Sequence, residues 1–184
     1  AYALALLPYG KNVLFVGDPE QLAPIAKSES LASQRWLAES PFSWRHKLAP
    51  DSATVFLDEQ SRMAPAICSV VSDTFYDRKL RVCARFAVDT AWLQSRRIIQ
   101  GSGKGFDIVP ITMAGRFSGK WGGPVREESA EQIITLVRDL LRRVKPEEIQ
   151  ILTPFRAQRK MIRSKLKQAG IHGMRVTTVH RAQG

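Results

Sequence analysis

An α/β fold is predicted by three observations on the 184-residue sequence: short apolar runs that end in turn residues, amphipathic helical stripes between those runs, and a globular composition of 44% apolar and 24% charged residues. Strands that alternate with helices imply a parallel sheet covered on both faces, because parallel strands need crossovers and helices supply them.

The first run, residues 12–16, stops at Gly17-Asp18-Pro19, the pattern of a strand buried on both faces followed by a tight turn. Similar runs recur at 53–57, 107–111, 148–152 and 175–179. Pro65 stands at a first helical position, ahead of Ile67, Val70, Val71, Thr74 and Phe75 on one helix face. Ile133, Val137, Leu140, Leu141 and Val144 form a second stripe that Pro146 closes. A third helix, from about 157 to 169, turns Ala157, Met161, Leu166 and Ala169 inward and stops at Gly170. Residues 81–105 carry scattered charge and end in Gly101-Ser102-Gly103-Lys104-Gly105, while 114–124 hold four glycines and a proline; both read as loops.

Lys and Arg total 28 against 17 Asp and Glu, a net charge of +11, which points to a polyanionic partner, nucleic acid first, or else to a solvated basic surface. Two cysteines, Cys68 and Cys83, without a CxxC pair, argue against a disulfide scaffold and a zinc site and for a reducing compartment, cytoplasmic or nuclear. The longest apolar runs, 3–7 and 13–16, fall far short of the roughly 20 residues that a membrane-spanning helix needs, so no membrane partner is expected. The N-terminus has neither Met nor a basic segment ahead of its apolar stretch and reads as the cut end of a fragment, without a signal peptide.

In doubly wound sheets ligands bind beyond the carboxyl ends of the strands, so the residues just after each run are the candidates for chemistry. Gly17-Asp18-Pro19-Glu20-Gln21-Leu22-Ala23-Pro24 places an acid and an amide three apart, able to order a water or meet a phosphate oxygen; an ordinary Asp-Pro turn is the alternative. Asp58-Glu59-Gln60-Ser61-Arg62-Met63-Ala64-Pro65 offers a guanidinium that can meet a phosphate through two parallel bonds, or a surface ion pair with Asp58 or Glu59. Thr153-Pro154-Phe155-Arg156-Ala157-Gln158 and Thr177-Thr178-Val179-His180-Arg181-Ala182-Gln183-Gly184 put hydroxyls, amides and Arg at two further strand ends, groups that hold a sugar-phosphate chain without reading its sequence. Gly103-Lys104 is not a phosphate-cradling loop, since Ile98 and Gly105 stand where Gly and Ser or Thr are required. Arg156, Arg159, Lys160, Arg163, Lys165 and Lys167 crowd the third helix, in part through amphipathicity and in part in a way that fits phosphate binding. His180 alone is no catalytic signature, and Cys68 reads as a small core hydrophobe.

In order and spacing, Gly17 to Pro24, Gln60-Ser61-Arg62-Met63 with Pro65 and Phe75-Tyr76, Thr153 to Gln158 and Thr178 to Gly184 resemble superfamily 1 helicases, nearest to subfamily B, which includes the helicases of nonsense-mediated RNA decay and Okazaki-fragment processing. The resemblance implies two RecA-like domains that clamp ATP and Mg2+ between them and hold a single strand of nucleic acid, DNA favoured over RNA, across their top. It makes residues 1–45 the remnant of the first domain and 46–184 most of the second. It gives Gln21 the γ-phosphate sensor, Asp18 a part in ordering metal and water, and Arg62 the arginine finger. Gln60, Gln183 and Gly184 then serve the nucleotide, and Thr153, Arg156, Thr178 and His180 the strand backbone, with no metal ligand among these residues. Gln21 and Arg62 are expected to face each other across a hinge around the end of the triphosphate. Ser61 replaces the family's usual Tyr near the adenine, and His180-Arg181 a frequent Asp-Ser pair. The family's Walker A loop, its Asp-Glu magnesium motif and its final arginine motif are absent from the sequence, so this polypeptide alone is not expected to hydrolyse ATP. The alternatives are a non-catalytic nucleic-acid-binding or partner-docking module with the same fold, and an ATPase that remodels complexes without unwinding.

Overall fold

The structure, a computed structural model, describes residues 7–22, 26, 28–38, 53–96 and 106–182. The chain divides into two compact units, Ala1–Phe106 and Asp107–Gly184. The domain boundary expected near residue 45 lies outside the described residues, as does the loop 101–105.

The first unit opens with a single 3-10 turn, Leu7–Tyr9, and a short helix α1, Leu31–Ser33, capped by the Ser30 hydroxyl and continuing as a π-helical turn, Gln34–Ala38. Its centre is β1 (Glu59–Gln60), helix α2 (Pro65–Phe75) and β2 (Arg81–Val82), with β1 parallel to β2 and α2 as the crossover. Pro65 does open α2, as expected. The buried line is not the expected one: Ala64, Cys68 and Ser72 are buried at intervals of four, while Val70, Thr74 and Phe75 face solvent. Small residues win that face because the chain passes close to it, the Leu80 carbonyl lying 3.9 Å from Cys68 Sγ, and the larger branched side chains are turned aside. Residues 81–105 are not all loop. After β2 come α3 (Ala84–Ala87) and α4 (Thr90–Ser95), the latter capped by Asp89, whose Oδ1 accepts from the Trp92 amide at 2.9 Å.

The second unit holds a hairpin, β3 (Arg116–Ser118) with β4 (Gly123–Val125), where the glycines had indicated only loop. Gly123 is required by packing: a Cβ there would lie 3.1 Å from the Cβ of Ala157. Helix α5 (Glu127–Leu140) follows, then a 3-10 turn at Pro146–Glu148, β5 (Gln150–Thr153), helix α6 (Arg156–Gln168), β6 (Arg175–Thr178) and the short α7 (Val179–Ala182). Strands β5 and β6 are parallel, with Gln150 opposite Arg175 and Thr153 opposite Thr178, and α6 is their crossover. The expected α/β class therefore holds, in two strand-helix-strand units with parallel pairing.

The core of the second unit packs Val125, Ala130, Ile134, Val137 and Ile151 against Ala157, Met161, Ile162 and Leu166. On α5 the buried line runs through Ala130, Ile134 and the expected Val137, with Ile133 at its edge. Helix α6 ends as expected at Gly170, in a left-handed conformation with φ of +70°. The Gly170 amide bonds to the Lys167 carbonyl at 3.1 Å and that of Ile171 to Leu166 at 2.9 Å, the two bonds of a Schellman cap, and the Ile171 side chain packs on the same core as Leu166. Ile162 is fully buried at 0% exposure. Ile162→Ala is expected to cost about 2–5 kcal/mol, read as a lower urea midpoint at unchanged slope; a midpoint equal to the parent's would show that this core does not form in solution.

Three predicted strands are corrected. Residues 12–16, 53–57 and 107–111 form no ladder among the described residues, and most of their apolar side chains are exposed, Leu14 at 86%, Val55 at 83% and Ile108 at 79%. A strand buried on both faces needs neighbours at its edges and helices above and below, and the described residues supply these to none of the three. Among the described residues no helix is long and apolar enough to cross a membrane.

Candidate nucleotide and nucleic-acid site

In the first unit, the turn after residue 16 is closed by its own side chains. Asp18 Oδ1 accepts from the Glu20 amide at 3.0 Å, and Oδ2 accepts from Gln21 Nε2 at 3.0 Å. The same Oδ2 accepts from the Tyr76 hydroxyl at 2.5 Å, a contact spanning 58 positions of sequence. Phe56 adds a ring 6.1 Å from that of Tyr76. Burial alone would raise the Asp18 carboxyl, but the bonds from Tyr76, Gln21 and the Glu20 amide outweigh it and hold the group below its usual 3.8. Burial, the bond to Asp18 and the negative charges of Asp18 and Glu20 push Tyr76 up to about 12.

These shifts have opposite signs in pH. The raised Tyr76 value stabilises the contact fully below the ordinary value of 10.0 and ceases to do so as pH climbs towards about 12. The lowered Asp18 value stabilises it above 3.8 and fades as pH falls through the depressed value. The chain has three tyrosines, so the phenolate absorbance of the parent minus that of Tyr76→Phe isolates one of them; the difference is expected to titrate near 12, and a midpoint at 10 would show that the contact is not made.

Arg62 lies between β1 and α2 in a stretch without regular structure, Ser61 to Met63. Gln60 fastens that stretch from inside: its Oε1 accepts from the amides of Arg62 at 2.9 Å and Met63 at 2.6 Å, and its Nε2 donates to the Met63 carbonyl at 3.1 Å. Both ends of the Gln60 amide are thus occupied within its own turn. The Arg62 side chain is exposed and has no hydrogen bond or ion pair among the described residues. Asp58 and Glu59, its candidate partners, pair with Arg81 instead, at 3.1 and 3.3 Å.

Gln21 and Arg62 are not brought together. The Asp18–Gln21 turn reaches Tyr76, which caps the C-terminal end of α2, whereas Arg62 precedes its N-terminal end, and an eleven-residue helix is about 16 Å long. Among the described residues no group of three or more His, Cys, Asp and Glu side chains could hold a metal ion.

The second unit does gather its predicted residues. Thr153 and Thr178 are register partners at the carboxyl ends of the parallel β5 and β6; Arg156 opens α6, and His180 lies in the first turn of α7. Thr153 and Thr178 are buried, at 3% and 6% exposure, while Arg156 and His180 are exposed. Thr153 Oγ1 has no hydrogen-bond partner among the described residues, an unmet demand at a strand end. Gln158 is a structural clamp, its side-chain amide exchanging bonds with the Arg126 backbone at 2.8 and 2.9 Å. Gln183 and Gly184 lie outside the described residues.

In sequence the basic residues of α6 form an undivided crowd, and the structure sorts them. Arg156, Lys160, Arg163 and Lys167 are exposed at spacings of four, three and four, one continuous stripe, and none has an acidic partner among the described residues. Lys165 turns the other way and pairs with Glu131 at 3.1 Å and Glu127 at 3.6 Å. The stripe extends the edge formed by Thr153, Arg156 and His180 along the helix by about 16 Å.

Residues 37–184 match the family described as AAA domain. The chain is 32% identical to the human 3'-5' exoribonuclease HELZ2 across 98% of its own length, and 24% identical to the mouse RNA helicase Mov10l1 across 94%. It is 30% identical across 81% to a regulator of nonsense transcripts 1 homolog of Drosophila melanogaster. It spans 6%, 16% and 12% of those relatives' own lengths. Four motifs in one order, parallel strand-helix-strand units at three of them and a family match over residues 37–184 agree: the chain belongs to the AAA domain family, among the superfamily 1 helicases.

Proposed function

We propose that this chain works within a nucleic-acid-dependent ATPase of the helicase type and supplies the strand-binding edge and the arginine finger of its motor. The observation that carries the reading is the edge in the second unit, where Thr153, Thr178, Arg156 and His180 converge at the ends of two parallel strands and continue into an unpaired basic stripe. Such an edge fits a sugar-phosphate backbone and reads no sequence. RNA is the favoured strand, in place of the DNA expected from the sequence, because Mov10l1 is named an RNA helicase and HELZ2 an exoribonuclease.

ATP, bound with Mg2+, would supply the phosphoryl transfer that drives movement. Arg62 fits its phosphates: an exposed guanidinium on a fastened backbone, with no competing carboxylate. Among the described residues no cluster of His, Cys, Asp and Glu forms a metal site. In this reading residues 1–45 belong to the first RecA-like domain and 46–184 to the second, closure of the cleft brings Gln21 towards Arg62, and this segment alone does not hydrolyse ATP.

The non-catalytic module remains the second reading, favoured by the separation of Gln21 from Arg62 along α2 and by the occupied amide of Gln60. One experiment separates the two: ATP turnover by the full-length protein with and without single-stranded RNA or DNA. Turnover stimulated more by RNA supports the motor; strand binding without turnover supports the module.

A further inference from the structure

We infer that Arg96 and Trp92 are positioning residues for Arg62, a step that rests on the arginine-finger reading above. The direction in which a side chain leaves the main chain is set by the two peptide groups that flank its Cα. For Arg62, both peptide groups are held at both of their polar atoms.

The Ser61–Arg62 peptide is held at its oxygen by Trp92 Nε1, 3.1 Å away, and at its N–H by Gln60 Oε1 at 2.9 Å. The Arg62–Met63 peptide is held at its oxygen by Arg96 Nε, 3.0 Å away, and at its N–H by Gln60 Oε1 at 2.6 Å. Four bonds from three side chains therefore fix φ and ψ of one residue in a stretch that has no ladder or helix to do so. Two of those side chains come from α4 and its C-terminal cap, about thirty positions later in sequence.

The two anchors at α4 support each other. The Arg96 guanidinium lies over the Trp92 ring, 4.0 Å from its centre, and its Nη1 donates to the Trp92 carbonyl at 3.3 Å and to Ser95 Oγ at 2.9 Å. Trp92 is buried, with the Phe86 ring 5.5 Å away, and its amide is held by the Asp89 cap. Arg96 has no acidic partner among the described residues, so its bonds go to carbonyls and a hydroxyl and its charge is not neutralised there. A basic residue that orients the backbone of another basic residue, without forming an ion pair, is better explained by what Arg62 must reach than by stability.

The test is a double-mutant cycle in the full-length protein, read as strand-stimulated ATP turnover. Misplacing a catalytic group by about 1 Å can cost on the order of a hundredfold, so Arg96→Ala is expected to lower kcat about ten- to a hundredfold while KM for ATP moves little. On an Arg62→Ala background the same change is expected to do nothing more, because there is no longer a finger to aim. Trp92→Phe keeps an aromatic ring and removes the N–H, and is expected to give a smaller loss in the same direction; it serves the test should Arg96→Ala not fold. Full turnover in Arg96→Ala beside a crippled Arg62→Ala would overturn the positioning role and leave the finger intact, as would losses that simply multiply. Full turnover in Arg62→Ala would overturn the finger, and the positioning role with it.

Discussion

Arg62→Ala in the full-length protein is expected to lower strand-stimulated ATP turnover by about three orders of magnitude or more, the scale on which arginine fingers act, while leaving single-strand affinity at low salt nearly unchanged. The two halves of this expectation come from different parts of the chain. Turnover depends on a cation that can meet charge developing on the phosphates, and the Arg62 guanidinium is exposed and without a partner among the described residues. In the proposed function, affinity rests on the strand ends of β5 and β6 and on the stripe of α6, which belong to the other compact unit. Lysine at position 62 would retain the charge but not the planar fork, so Arg62→Lys is expected to recover only a minor part of the loss. Affinity falling in parallel with turnover would mean that Arg62 holds the strand and not the nucleotide, and the division of labour between the units would be wrong.

How much of this was legible in the sequence depends on whether a feature is local. Caps and stops were legible: Pro65 opens α2 and Gly170 closes α6, because proline's fixed φ and glycine's left-handed freedom act within one turn of the chain. The Asp89 cap is a signal of the same kind, obscured by the scattered charges of 81–105. The parallel pairing of β5 and β6 followed from the helix between them. Burial was harder to foresee. Periodicity marks a stripe but not which edge of it faces inward, and on α2 the small residues Ala64, Cys68 and Ser72 took the place that the larger apolar residues were expected to fill. An apolar run such as 12–16 says that a strand would be stable if flanked, not that the flanks are present. The site divides in the same way. Motif spacing singles out Arg62, Thr153 and Thr178 as candidates, but the bonds from Tyr76 to Asp18 and from Arg96 to the Arg62 carbonyl span 58 and 34 positions, and nothing in local spacing announces them.

The stripe on α6 gives the second large effect, since the helix carries six basic residues and no acidic one in thirteen. That is a costly way to build a helix. Arg156 and Arg159 sit in the first turn, where the macrodipole is positive and each cation is unfavourable by about 0.3–1 kcal/mol. Arg156 and Lys160, and Arg163 and Lys167, are like charges four apart, a further repulsion of about 0.2–0.5 kcal/mol for each pair. Solubility would be served as well by mixed charges at none of this cost, whereas a polyanion along the stripe would turn every one of these terms favourable. Replacing Arg156, Lys160, Arg163 and Lys167 by Gln in the full-length protein should therefore stabilise or leave unchanged the thermal midpoint while weakening single-strand binding. Counterion release assigns about 0.7 to the salt slope for each phosphate contact on a single strand, so the slope of log affinity against log salt should flatten by nearly 3 when all four are lost. Single replacements should each remove about a quarter of that, for any base sequence. An unchanged slope in the fourfold variant would make this face a solvated surface and would confine the strand to the ends of β5 and β6.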